Sequence, residues 1–211
     1  GIPWVFAPVP DPTTNPANPV IHLRAFGEDP GEVAKHVRAF IEGAHSPKER
    51  PVLVTAKHFP GHGDTADDTH YGLATVTAPP ERLRALELVP FRAAIEAGVD
   101  SIMTAHVTVP ALEPAGLPAT VSPAILTQLL RRELGFAGLL STDALDMRGL
   151  TRFFDPGEAA VRALEAGADL LLMPADPRAA IAGVAAAVQS GRIPPARLEA
   201  RVPQLLQAKL R

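Results

Sequence analysis

Val52-Leu53-Val54-Thr55-Ala56-Lys57-His58-Phe59-Pro60-Gly61-His62-Gly63-Asp64 starts as an apolar run and turns polar without a break. The first five residues are apolar or β-branched on both faces, as a parallel strand covered by helices must be. Working outward, four runs of the same kind occur at Trp4–Pro8, Ser101–Ala105, Leu139–Thr142 and Asp169–Met173. Helical patterns separate them. Asp29-Pro30 opens the first, with Val33, Val37, Phe40 and Ile41 on one face. Pro79-Pro80 opens a second that carries Leu83, Leu86, Phe91 and Ile95 inward and stops at Gly98. Ser122-Pro123 caps a third, running to Gly135. Further helices are expected over Gly157–Ala166, Pro177–Ser190 and Pro195–Arg211.

Strand and helix alternating along the whole chain predict an α/β protein with a parallel sheet. Periodicity leaves open whether the sheet is doubly wound or part of a (β/α)8 barrel. No internal repeat or linker stands out, and the 211 residues read as one domain. Pro8–Pro19 lacks either period, and its prolines and asparagines fit an ordered loop.

Composition narrows the function classes. A net charge of −3 gives no electrostatic reason for a nucleic-acid partner. Without cysteine there is neither a disulfide nor a cysteine zinc site. No run of 18 apolar residues exists to span a membrane. The chain opens at Gly1-Ile2-Pro3-Trp4 with no initiator methionine or leader. It is expected to begin inside a longer sequence, and its compartment stays open.

The chemically unusual residues follow the strands. Lys57 to His70 holds three histidines, three aspartates and a lysine; His106 follows the third strand; Asp143 and Asp146 follow the fourth. Catalytic groups converge on the carboxyl ends of strands in parallel α/β folds. An aspartate at the end of a buried strand needs a reason, since an unpaired buried charge is costly. Turn capping is the bland reading of Asp143; a nucleophile or metal ligand accounts better for the clustering. A solvated loop is the bland reading of Lys57–His70, yet Lys57 and His58 continue straight off an apolar strand. A metal site is disfavoured, because the spacing matches no compact zinc motif and Lys57 would repel a cation. Gly61-His62-Gly63 lacks the spacing of a phosphate-binding loop, so no cofactor is implied. A carboxylate with a second proton-handling group suits glycoside hydrolysis, where histidine can replace the usual acid. Asp68 stands two residues before His70, so an extended backbone puts both on one face, where the aspartate can orient the ring.

At these residues the sequence resembles the family 3 glycoside hydrolases, in their β-N-acetylhexosaminidase branch. The shared motifs run from Ala7-Pro8-Val9, Asn15-Pro16-Ala17-Asn18-Pro19-Val20-Ile21 and Arg24-Ala25-Phe26-Gly27-Glu28-Asp29-Pro30 to Lys57–Thr65 with Asp68-Thr69-His70. Ile102-Met103-Thr104-Ala105-His106, Thr142-Asp143-Ala144-Leu145-Asp146-Met147 and Ala166–Pro174 follow in the family's order. The resemblance implies a (β/α)8 TIM-type barrel and a retaining mechanism. It places Asp143 on the nucleophile, His70 on the acid/base and Asp68 on its dyad partner. Arg24, Lys57 and His58 match residues that hold sugar hydroxyls, and His106 lies near the same pocket. The implied substrate is a small carbohydrate with terminal β-linked N-acetylglucosamine, commonly attached to muramic acid in cell-wall fragments.

Five strands against the eight of a closed barrel make the barrel incomplete, with the family's N-terminal strands expected before Gly1. Residues 1–211 are therefore read as a partial catalytic barrel domain. Three alternatives stay open: a β-glucosidase or β-xylosidase of the same family, a non-catalytic sugar-binding barrel, and a metal-dependent hydrolase.

Overall fold

The computed structural model describes residues 3–46, 51–69 and 71–210. Strands β1 (Trp4–Val5), β2 (Leu53–Phe59), β4 (Ser101–Thr104) and β6 (Leu139–Ser141) form one sheet in that spatial order, every neighbour parallel. A small second sheet pairs β3 (Ala74–Thr75) with β5 (Val107–Thr108). The expected strand at Asp169–Met173 is reduced to a parallel bridge between Leu170 and Ser141. Backbone bonds from Thr142 N to Leu170 O and from Leu145 N to Leu172 O still hold that segment beside β6.

β2 runs three residues further than its apolar run, through Lys57 and His58 to Phe59. Its register against β4 slips between Lys57 and Phe59, leaving His58 as the extra residue of a bulge. A bulge kinks its strand and re-aims a side chain. Here it frees the His58 N–H from the ladder for a side-chain acceptor, Asp11.

The core lies between the strands and helix α1 (Pro30–His45), α2 (Pro80–Ala85), α3 (Val89–Glu96) and a π-type helix over Ala124–Glu133. Asp29 caps α1 by accepting from Glu32 N at 2.8 Å, and Val33, Val37 and Ile41 are fully buried. Phe40, expected inward with them, is 37% exposed: it lies on the rim of the apolar stripe. Phe59 meets Phe91 edge to face, with centroids 5.2 Å apart, a contact worth about 1 kcal/mol beyond the area it buries.

Two helices expected to be continuous are divided, each for the same reason. Pro90 and Pro203 stand at the second positions of α3 and of α8 (Val202–Leu210). Proline has no N–H to give and its ring collides with the carbonyl four residues back. The helix therefore stops at Ala85, and Leu86–Leu88 turn before α3 starts. That turn leaves Leu86 half-buried and carries Glu87 and Leu88 into the interior. The C-terminal pattern likewise splits into α7 (Pro195–Glu199) and α8, and Arg211 lies outside the described residues.

After β6 come α4 (Arg148–Thr151), α5 (Pro156–Ala166) and α6 (Pro177–Gln189). α5 and α6 cross where Gly157 meets Gly183: a Cβ on Gly183 would stand 2.7 Å from the Gly157 Cα.

Candidate active site

The carboxyl ends of β2, β4 and β6 deliver polar groups to one edge of the sheet. Asp11 organises the first of them. Its side chain is fully buried, and Oδ2 accepts from the His58 backbone N at 3.0 Å and from the His58 ring at 2.8 Å. Oδ1 accepts from His62 N at 2.9 Å. Burial works to raise the Asp11 pKa, but the His58 hydrogen bond and the potential of His58 and His62 bring it below the ordinary carboxylate value. The far ring nitrogen of His58, Nε2, lies 3.4 Å from Arg24 Nη2.

Lys57 is half-buried at the end of β2. Burial and the nearby Arg24 lower its pKa, while Asp143 and Asp11 act to hold it up. Arg24, Lys57, His58 and Asp143 thus belong to one electrostatic neighbourhood. Asp143 follows Thr142 just beyond β6, half-buried, and its Oδ1 accepts from Ala144 N at 2.8 Å. Thr142 Oγ1 accepts from Leu172 N at 3.0 Å, which pins the strand end. Asp146 is exposed.

His106 is fully buried behind this turn. Its Nε2 donates to Ala144 O at 2.8 Å, and Nδ1 lies 2.7 Å from the Thr120 hydroxyl. Burial lowers its pKa against the opposing pull of Ala144 O and Asp143, which keeps the ring neutral. Both nitrogens are engaged, so the ring holds the Asp143–Ala144 turn from behind.

The loop after β2 is tied at both ends. Asn18 donates to His62 O at 2.8 Å and Thr65 O at 2.9 Å, while its Oδ1 accepts from Val20 N and Ile21 N. Arg82 Nη2 donates to Asp64 at 2.9 Å, and the Thr14 hydroxyl donates to the same carboxylate at 3.1 Å. Gly63 lies so close to the Pro12 carbonyl that a Cβ would sit 1.8 Å from its oxygen, which no side chain tolerates. The His62 ring touches the hydroxyls of Thr65 (2.6 Å) and Thr69 (3.1 Å). Gly149 N donates to Thr69 O, while Tyr71 N and Gly72 N donate to Asp68 O. These bonds anchor Asp68 and Thr69 beside α4. His70, the expected acid/base, lies outside the described residues.

Among the described residues no group of three or more His, Asp or Glu side chains could hold a metal ion, and no helix is long and apolar enough to cross a membrane. Sequence reasoning missed Asp11 and Asn18 as site builders, and counted His62 in the polar cluster without a role of its own. The signal available was an acid and an amide inside a long proline-rich segment lacking either period.

Residues 1–208 match the Glycosyl hydrolase family 3 N terminal domain. The chain belongs to glycoside hydrolase family 3, and its parallel α/β sheet is part of that family's TIM-type barrel. It is 43% identical over 189 residues to the Beta-hexosaminidase A of Pseudoalteromonas piscicida, covering 82% of this chain and 30% of that protein. A family 3 β-N-acetylglucosaminidase structure from Paenibacillus sp. str. FPU-7 superposes with a TM-score of 0.91 at 46% identity, covering 98% of this chain and 39% of that one. A β-glucoside phosphorylase, BglX bound to 2FGlc, superposes with a TM-score of 0.92 at 27% identity, covering 99% and 38%. The chain therefore spans well under half the length of these relatives.

Proposed function

We propose that residues 1–211 are a partial catalytic barrel domain of a retaining glycosidase that removes terminal β-linked N-acetylglucosamine. The observation that carries this reading is the shelf formed by Asp143, Lys57, His58 and Arg24 at one sheet edge, in a chain similar to proteins named for that activity. In the first step the Asp143 carboxylate attacks C1 of the sugar and the bond from C1 to the leaving oxygen breaks. His70 gives its proton to that oxygen, with Asp68 orienting the ring. In the second step His70 takes a proton from water, the water oxygen bonds to C1, and the ester to Asp143 is released. Arg24, Lys57 and His58 hold sugar hydroxyls. Lys57 stands beside Asp143, whose negative charge helps to hold the ammonium charged against the cost of burial. His106 acts through the backbone of Ala144 rather than on sugar. The source of substrate we favour is N-acetylglucosamine joined to muramic acid in cell-wall fragments.

Hydrolysis of an aryl β-N-acetylglucosaminide beside an aryl β-glucoside, by the full-length protein, tests the proposal. Preference for the N-acetyl sugar, abolished in Asp143→Ala, is the expected result. Activity confined to the glucoside overturns the branch. Likeness to a β-glucoside phosphorylase makes transfer to phosphate the second reading, and a rate that needs added phosphate would favour it.

A further inference from the structure

Glu87 is a buried acid that the proposed chemistry does not use. It sits in the turn between α2 and α3, its side chain 2% exposed. Neither carboxylate oxygen has a hydrogen-bond partner among the described residues. Its Cβ and Cγ press on the catalytic loop, where a Cβ built on Gly61 would stand 3.0 Å and 3.1 Å from them. Gly61 itself has φ +133°, so the loop adopts a backbone there that only glycine accepts readily. Among the described residues two charged groups face Glu87: Arg82 of α2, whose Nη2 is 3.6 Å from Oε1, and Asp64 of the loop. The same Nη2 is 2.9 Å from Asp64 Oδ1 and 3.4 Å from the Thr14 hydroxyl.

One guanidinium therefore stands between two carboxyl groups, close to one and just out of hydrogen-bond reach of the other. Burial with so few donors favours the neutral form of a carboxyl. Burial raises its pKa and Asp64 adds to that, against the pull of Arg82 and of its own backbone N–H. While Glu87 is neutral, the charge of Arg82 is committed to Asp64, which ties the loop to α2 and to the Thr14 segment. An ionised Glu87 would place a second negative charge beside Asp64 and draw Arg82 away from the loop.

We infer that Glu87 is a positioning residue, a buried carboxyl wedged under Gly61 that, while neutral, leaves Arg82 free to clamp Asp64 and so holds the His62–Thr69 loop in its working place. The inference rests on the reading that this loop carries the acid/base, His70. Removing the wedge would loosen the loop, and ionising it would unclamp the loop as pH rises.

Two measurements on the full-length protein test this. The first is kcat/KM against pH for wild type, Glu87→Gln and Glu87→Ala, on aryl β-N-acetylglucosaminide. Glu87→Gln keeps a neutral wedge, so it should stay within about threefold of wild type at pH 5 and lose less activity as pH rises above the ordinary glutamate value of 4.5. Glu87→Ala should lose kcat more than KM, by about tenfold or more. The second is amide hydrogen exchange of Gly61–Thr69 between pH 5 and 9, which needs no activity. Protection should fall in wild type and persist in Glu87→Gln. Identical alkaline limbs and identical protection in the two proteins would overturn the inference. If Glu87→Gln does not fold, wild-type loop protection that is flat with pH overturns it as well. An inactive wild type whose loop still loosens with pH would sink the glycosidase reading and leave Glu87 in its role.

Discussion

Carboxylates stand at both edges of the sheet, and the two edges treat them differently. At the amino edge, Asp100 precedes β4 and accepts from Val54 N on the neighbouring strand at 3.0 Å, with the His45 ring 2.7 Å away. Asp169 repeats the device one strand on: it accepts from Leu140 N at 2.9 Å, and Arg131 and Arg201 lie at 2.7 Å and 2.9 Å. Each is preceded by the same pattern, Glu96-Ala97-Gly98-Val99-Asp100 and Glu165-Ala166-Gly167-Ala168-Asp169. This is a short internal repeat that reading for long periods passes over. At the carboxyl edge, Asp143 is half-buried and its neighbours Lys57 and Arg24 are cations able to meet a ligand. Asp100 and Asp169, which follow helices, stitch strands together; Asp143, which follows a strand, faces the candidate site. The lesson is that position along the βα unit, more than residue type, assigns the role.

That contrast can be broken in order of expected effect. Asp143→Ala should abolish turnover while leaving the melting temperature nearly unchanged, measured by aryl-glycoside assay beside calorimetry. A large loss of stability instead would make Asp143 a stitch like the others. Asp169→Ala should do the reverse: it strands a largely buried Arg131 and an unpaired Leu140 N–H, for a loss of about 3–5 kcal/mol in denaturant unfolding. Unaltered stability there would show that the strand end holds without its carboxylate.

Gly63→Ala should fall between the two edges. Its methyl meets the Pro12 carbonyl at 1.8 Å, so the loop must move. We expect a kcat loss of about 10²-fold with a smaller change in stability, since a 1 Å misplacement near the chemistry can cost that much. Asp100→Ala should cost less than Asp169→Ala, about 1–3 kcal/mol, because its ring partner His45 can turn to solvent.

The smallest effect is acid dependence. The folded-state pKa of Asp11 is lowered, so its contribution to stability is fully present above the ordinary carboxylate value near 3.8 and is lost as pH falls through the lower folded value. Asp11→Asn should flatten the acid limb of a melting-temperature profile in that range. An unchanged limb would mean that other carboxylates carry it.

How much of this could be read from the chain depended on how far each cause reached. Strand and helix alternation was legible because periodicity is local, and so was the row of polar residues after each strand. The two helix breaks were also written locally, in Pro90 and Pro203, but the apolar stripe crossing them reads as continuous. Asp11 was not legible as a site residue: it sits in a stretch without periodicity, 47 residues from the His58 it organises. Glu87 was legible only as an acid on the apolar stripe, four residues after Leu83 and four before Phe91; the sequence did not show that it packs against the loop at Gly61.

By itself, the sequence determined the α/β class, the family, and which strand ends bear the candidate nucleophile and sugar-binding groups, because those follow from local pattern and ordered motifs. Only the tertiary structure decided that His58 occupies a bulge fastened to Asp11, that His106 backs the Asp143 turn with both nitrogens engaged, and that Glu87 and Asp64 face one arginine. Those pairings join residues far apart in the chain. Desolvation and hydrogen-bond geometry exist for them only once the strands have packed.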